Sequence, residues 1–260
     1  MAIIEIRNLT KRFGRLAAVD NIDFLVEKGS IFAFLGPNGA GKSTTIKMMT
    51  TVLFPSEGSI KINGFDILKQ KNEIRKSIGV IFQDHTVDNE LTAYENLYYH
   101  AVLYSIPKKQ RKKKIESLLS YVGLLERKDD FLKNFSGGMK RRVEIARGLL
   151  HSPKILFLDE PTLGLDVQTR AFLWEHIRRI NKEEGITIFF TTHNMDEAEK
   201  IAKKIAIIDK GRILVTGTSD DIKKKTRTRS LEDAFLKLTG RGIREEPADN
   251  LEMMRKRFRR

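Results

Sequence analysis

Residues 3–7 and 21–27 alternate apolar and polar side chains, the two-residue period of strands with one buried and one wet face. Residues 31–35, 77–82, 154–158, 187–190 and 205–208 are continuous apolar runs instead, the pattern of strands buried on both faces. Residues 59–62 run into Asn63-Gly64, a strong tight-turn signal, and Lys210-Gly211 leads in the same way into 212–216. From Leu91 to Leu150 the spacing becomes helical, with helices expected over 92–104, 108–122 and 137–150. Further helices over 42–49, 167–183 and 195–203 alternate with the apolar runs, which predicts a parallel sheet covered on both faces. The expected class is therefore α/β: a mostly parallel sheet core with a helical subdomain inserted at about 88–152. One domain over 1–240 is followed by residues 241–260, which lose apolar periodicity, end in Arg255-Lys256-Arg257-Phe258-Arg259-Arg260 and read as a basic, flexible tail.

Chemistry enters where the apolar runs stop, because ligands of open α/β sheets bind beyond the carboxyl ends of the strands. Run 31–35 is followed by Gly36-Pro37-Asn38-Gly39-Ala40-Gly41-Lys42-Ser43, the G-x-x-x-x-G-K-S phosphate loop, with Thr44 next in the helix. Glycines let successive N–H groups turn inward as an anion nest, and the helix N-terminus adds partial positive charge. Lys42 suits the β- and γ-phosphates, and the Ser43 hydroxyl suits Mg²⁺. Run 77–82 delivers Gln83, 154–158 delivers Asp159 and Glu160, and 187–190 delivers Thr191, Thr192 and His193. Asp159 is placed to hold Mg²⁺ through a water, since that ion keeps several waters and prefers oxygen ligands. Glu160 is the candidate base for an attacking water. Paired acids can also simply cap a strand at the surface, and a lone histidine or glutamine is most often an ordinary polar group. Their convergence on one sheet edge decides for chemistry. A second anion site is suggested by Ser136-Gly137-Gly138 before an amphipathic helix, where the plain alternative is a serine N-cap followed by loop glycines.

Composition narrows the class. The chain has 260 residues and no cysteine, which excludes disulfides, cysteine zinc sites and cysteine nucleophiles. His85, His100, His151 and His176 share no metal-ligand spacing. No apolar run approaches the roughly 18–20 residues of a membrane span, and the N-terminus lacks a signal-peptide profile, so a cytoplasmic location is expected. The formal net charge of +14 implies an anionic partner, whether nucleotide, nucleic acid or membrane surface. Lysine and glutamate are abundant, as in thermophile proteins, which gives the lysines an ordinary origin too. The block 108–109 reads by default as a solvated helix face, while 111–114 and 223–225 stay open between a solvated face and an anion-binding one; for the 255–260 tail, anionic lipid is as good a partner as nucleic acid.

The order of these segments carries a resemblance. Phosphate loop, Gln83, Ser136-Gly137-Gly138, Asp159-Glu160-Pro161-Thr162, Gly164-Leu165-Asp166 and His193 follow one another as in the ATP-binding subunits of ABC transporters, over about residues 2–240. The resemblance implies a P-loop NTPase of ABC type, with an N-terminal antiparallel β subdomain beside the mostly parallel core, using ATP and Mg²⁺. Gly36 to Thr44 match the Walker A loop. Gln83 matches the Q-loop, a further ligand of the metal and catalytic centre. Ser136, Gly137 and Gly138 match the signature motif, Asp159 and Glu160 the Walker B acids. Asp166 lies in the D-loop, and His193 is the switch histidine that contacts the γ-phosphate. Phe13 stands where a tyrosine commonly stacks on adenine, and ring stacking needs only the ring; otherwise Phe13 is an edge-strand aromatic. Met139 departs from a common glutamine, and Leu163 holds a variable position. The resemblance further implies a head-to-tail pair with a second ATP-binding subunit, the signature of one closing on the P-loop of the other.

Residues 136–142 and 230–240 look most like the drug-, polysaccharide- and sodium-exporter branch, whose ATPases serve separate ABC-2-type permeases. That implies a polytopic membrane partner, a peripheral position at the inner face of the cell membrane, and docking through 84–96. The rival is a soluble ABC ATPase acting on nucleic acid or ribosomes. It is disfavoured by the single, contiguous domain and by the lack of an aromatic-rich basic groove. Intact Glu160 and His193 disfavour a third class, a nonhydrolytic nucleotide sensor.

Overall fold

A computed structural model describes residues 1–240; the expected tail at 241–260 lies outside the described residues. Two sheets meet face to face. The first is antiparallel, in the order β2-β1-β4-β5, from β1 (Ala2–Phe13), β2 (Leu16–Glu27), β4 (Glu57–Ile62) and β5 (Phe65–Asp66). The second has six strands in the order β10-β9-β3-β8-β7-β6. Here β3 (Ile31–Leu35), β6 (Ile78–Ile81), β7 (Ile155–Asp159), β8 (Thr187–Thr192) and β9 (Lys204–Asp209) run parallel, and β10 (Arg212–Gly217) closes the edge antiparallel to β9.

The pleat assigns the side chains of β3 to two cores. Phe32 and Phe34 face the antiparallel sheet and join Phe24, Phe157 and Phe189 in an aromatic cluster. Ile31, Ala33 and Leu35 face α6 (Val167–Glu184), α7 (Met195–Ile201), α8 (Ser219–Thr226) and α9 (Leu231–Thr239). A third core belongs to α3 (Ala93–Leu103), α4 (Lys108–Tyr121) and α5 (Gly137–Leu149), centred on Leu97, Ile115, Leu119 and Val143. Helix α5 also packs onto β6, where Gly79 lies so close that an added Cβ would come within 2.4 Å of the Gly148 carbonyl oxygen.

The expected strands over 3–7 and 21–27 are the regular parts of two longer strands joined in a hairpin at Gly14, whose φ is +57°. Register shifts, with Asn8 and Asn21 at positive φ, break the alternation partway and conceal the strand length. Ser77 ends a helix, α2 (Lys71–Ser77), rather than opening the next strand. Helices α2, α8 and α9 were not anticipated. The first two are short and highly charged, so their apolar stripe is one or two residues wide, Ile74 in α2 and Ile222 in α8.

Candidate active site

Strands β3, β8, β7 and β6 are adjacent, so their carboxyl ends form one continuous edge. The phosphate loop crosses that edge between β3 and α1 (Lys42–Met49). Gly39 and Gly41 take φ of +74° and +104°, conformations that L side chains rarely adopt. Gly36 and Gly41 lie against backbone: an added Cβ would sit 2.5 Å from the Ile208 or Ala18 carbonyl oxygen. Asn38 and Gly39 are exposed at the loop's crest, Pro37 and Thr44 are partly exposed, and Ala40 is buried beneath. Ala18 belongs to β2, so the hairpin that carries Phe13 borders this loop. The Phe13 ring is half exposed, with the Lys11 ammonium 5.2 Å from its centroid, and is available for stacking.

The polar side chains form one connected chain of contacts. Buried Lys42 donates to the carbonyl oxygens of Gly36 at 2.8 Å and Pro37 at 3.1 Å. Its ammonium also lies 3.0 Å from Glu160 Oε1. Glu160 Oε2 is 2.9 Å from His193 Nδ1. Ser43 Oγ donates to Asp159 Oδ1 at 3.2 Å, and Thr191 Oγ1 donates to the same oxygen at 2.6 Å. The Glu160 N–H in turn donates to Thr191 Oγ1 at 2.9 Å. Glu160 sits at φ +46°, a left-handed conformation costly for a residue with a Cβ, and strain of this kind gathers at functional sites. Burial pushes the Glu160 carboxyl up, yet the His193 hydrogen bond and the Lys42 charge outweigh it and hold the group at about 2. The hydrogen bond to Glu160 raises His193 above its ordinary value, against the opposing effect of burial.

Of the expected site residues, Lys42, Ser43, Asp159, Glu160 and His193 are brought together. Gln83 is not: its side chain is exposed and makes no hydrogen bond among the described residues, although its carbonyl oxygen accepts from Arg141 at 2.6 Å. Ser136, Gly137 and Gly138 open α5 elsewhere. Ser136 Oγ caps the helix by accepting from the Met139 N–H at 3.3 Å, and no hydrogen bond joins this turn to the phosphate loop. Gly138 abuts the first turn of α6, where an added Cβ would meet Thr169 Cγ2 at 2.4 Å. Asp166 caps α6, accepting from the Thr169 N–H at 2.8 Å and from Thr169 Oγ1 at 2.7 Å.

Sequence reasoning placed Thr191 at a strand end but gave it no role of its own; its hydroxyl links the two acids. Nor did it single out Glu197, a buried carboxylate that accepts from Thr162 Oγ1 at 2.7 Å and Thr192 Oγ1 at 3.1 Å. The available signal was hydroxyl residues directly after a fully apolar strand, where solvent alone would not require them. Hard oxygen donors at Ser43 and Asp159 beside the anion nest suit Mg²⁺, which is commonly held by one or two protein oxygens plus phosphate and water. No group of three or more His, Asp or Glu side chains capable of holding a metal occurs among the described residues, and no helix among them is long and apolar enough to cross a membrane.

Residues 19–163 match the family model described as "ABC transporter", more than half of the chain. The linearmycin resistance ATP-binding protein LnrL of Bacillus subtilis is 38% identical over 94% of this chain and 76% of its own length. The daunorubicin/doxorubicin resistance ATP-binding protein DrrA of Streptomyces peucetius is 39% identical over 85% of this chain and 66% of its own. Other matched relatives are longer, and the chain spans 41% of one of them. Among solved structures, a dimeric ATP-binding cassette in a post-hydrolysis state, bound to ADP and Pi, superposes with a TM-score of 0.75 at 26% identity, over 83% of this chain and 98% of that one.

Proposed function

Because the chain belongs to the ABC transporter family, we propose that it binds and hydrolyses ATP with Mg²⁺ and, as one half of a head-to-tail dimer, drives a separate exporter-type permease. The observation that carries this reading is the chain of contacts from Lys42 through Glu160 to His193, set beside Ser43 and Asp159 on one sheet edge. In the proposal the phosphate loop and Lys42 hold the nucleotide phosphates, and Phe13 supports the base. Ser43 and Asp159, with Gln83 closing from its loop, hold the metal. That metal would neutralise charge on the phosphates. Glu160 orients and deprotonates the attacking water, and His193 holds Glu160 and meets the γ-phosphate.

The ion pair gives the base its timing. The His193 hydrogen bond and the Lys42 ammonium hold Glu160 at about 2, too acidic for a good base at neutral pH. A γ-phosphate that draws Lys42 away removes one of them, so the carboxylate gains basicity only when nucleotide is seated. The dimer reading is supported by the exposure of Ser136 and Gly137 at a helix N-terminus and by exposed Leu163 and Val167 on either side of Gly164. The relatives' names, linearmycin resistance and daunorubicin/doxorubicin resistance, support drug export.

The test is ATP turnover by the purified chain with and without Mg²⁺, beside Glu160→Gln. Turnover that needs Mg²⁺ and drops by about 10²–10⁴-fold in the variant, with ATP still bound, is expected. Wild-type turnover in Glu160→Gln would overturn the assignment of the base.

A further inference from the structure

The loop that follows β6 is held in an unusual way. It runs from the sheet at Phe82 to Val87, which is buried in the helical core. Three side chains from α5 grip its backbone between those points. Arg141 Nη1 donates to the Phe82 carbonyl oxygen and Nη2 to that of Gln83, both at 2.6 Å. Glu144 Oε1 accepts from the Thr86 N–H at 2.7 Å, and Arg147 Nη1 donates to the Thr86 carbonyl oxygen at 2.8 Å. Arg141 and Glu144 also pair with each other at 3.0 Å, and Glu144 Oε2 is 3.1 Å from His85 Nδ1.

These two are among the most deeply buried charges among the described residues, 3% and 1% exposed. Residues 141, 144 and 147 are spaced at i, i+3 and i+6, so they share one face of a single helix. That helix starts at Ser136, and the gripped loop carries Gln83. A buried ion pair of this kind is poor evidence for stability, because apolar side chains of the same volume would fill the space at least as well. What it supplies is a fixed register: a guanidinium fork reads two successive carbonyls, and a carboxylate reads the N–H beyond them.

We propose that the Arg141–Glu144 pair is a positioning device for hydrolysis, locking the Gln83 loop, which serves this subunit's own nucleotide, to the helix that begins at Ser136, which closes on the partner subunit's nucleotide, so that the two composite sites are set together. The proposal rests on the ATPase reading given above. Neither side chain touches Lys42, Ser43 or Glu160, so nucleotide binding does not depend on the pair. Turnover does, because each composite site needs Gln83 of one subunit and the signature turn of the other placed at the same moment. A partner that bears on 84–88 would therefore move both together.

The test uses Arg141→Lys, which keeps the charge but cannot fork to two carbonyls, and Glu144→Gln, which keeps the acceptor for Thr86 N–H but removes the counter-charge. Steady-state ATPase, equilibrium binding of a fluorescent ATP analogue, thermal melting, and amide hydrogen exchange over 82–88 are measured on the full chain. The expected result is kcat lower by at least about tenfold, KM and nucleotide affinity within about twofold of wild type, and faster exchange confined to the loop. If kcat, affinity and melting temperature fall together, the pair is only structural and the proposal fails. Unchanged kcat in folded variants also overturns it. Should one variant not fold, the other carries the same comparison. Absence of ATPase in the wild-type chain would instead sink the underlying functional reading, which keeps the two failures distinct.

Discussion

Lys42 spends its three ammonium protons on Gly36, Pro37 and Glu160, so every phosphate contact it makes must displace one of these. Two opposite expectations follow for its neighbours. Lys42→Ala removes the charge that meets the phosphates, and ATP affinity should fall about 10- to 100-fold by calorimetry, the loss of one charge-assisted hydrogen bond or more. Glu160→Gln removes the ionic competition for Lys42 and a negative charge near the γ-phosphate, so it should bind ATP at least as tightly as wild type while turning over far more slowly. The same contacts carry a pH signature. His193 is raised by its hydrogen bond to Glu160, so its contribution to stability is fully present below its ordinary value of 6.5 and is lost as pH rises through the higher folded value. Glu160 is lowered to about 2, so its contribution is present above 4.5 and is lost only as pH falls toward 2. The melting advantage of wild type over His193→Gln should therefore be greatest at pH 5–6 and shrink on going to pH 9. An advantage that grew with pH would show that the His193–Glu160 bond is not the source.

At the scale of elements, close approach sets the rules. β6 and α5 meet at Gly79 and Gly148, where a Cβ on Gly79 would press on backbone that cannot rotate away. Gly79→Ala should cost about 1–3 kcal/mol in urea unfolding, an overpacking penalty, and unchanged stability would show that the sheet edge gives way easily. The same geometry explains what was legible beforehand. Strands 31–35 and 154–158 could be read because both faces are apolar, and the phosphate loop because its glycines have no substitutes there. The convergence of Lys42, Ser43, Asp159, Glu160 and His193 followed from reading strand ends alone. Strand β1 was read at half its length because bulges at Asn8 and beyond reset the alternation. Arg141 and Glu144 passed as ordinary charges on an amphipathic helix, since composition does not tell a buried ion pair from a solvated one. Lys223 lies in a basic block whose composition leaves its role open, and it pairs with Glu199 at 2.8 Å and Asp220 at 3.0 Å.

For the whole molecule the question is how the signature turn at Ser136 meets a nucleotide when no hydrogen bond joins it to the phosphate loop. A head-to-tail pair answers it, and mixed dimers separate this from a site contained in one chain. Pairing a Lys42→Ala subunit with a Ser136→Arg subunit puts both lesions in one composite site and leaves the other whole. Pairing wild type with the double variant puts one lesion in each. Sites shared between subunits predict ATP turnover in the first pairing and little in the second; sites within one chain predict the reverse, so a single comparison of rates decides. Under the export reading, such an assembly must also reach a permease. Exposed Val52, Phe54, Tyr99, Val102 and Leu103 and the loop after Gln83 are where an apolar partner surface has something to cover. Disrupting 84–96 should abolish stimulation of ATPase by a reconstituted cognate permease while nucleotide binding survives. The net charge of +14 keeps the rival in play, since it would serve RNA or DNA as readily as an anionic membrane leaflet. Stimulation is therefore measured against DNA, RNA and ribosomes in the same buffer, across a salt series. A transporter ATPase responds to the permease at physiological salt and is indifferent to nucleic acid; strong, salt-sensitive stimulation by nucleic acid with no response to a membrane partner would replace the export reading with the rival one.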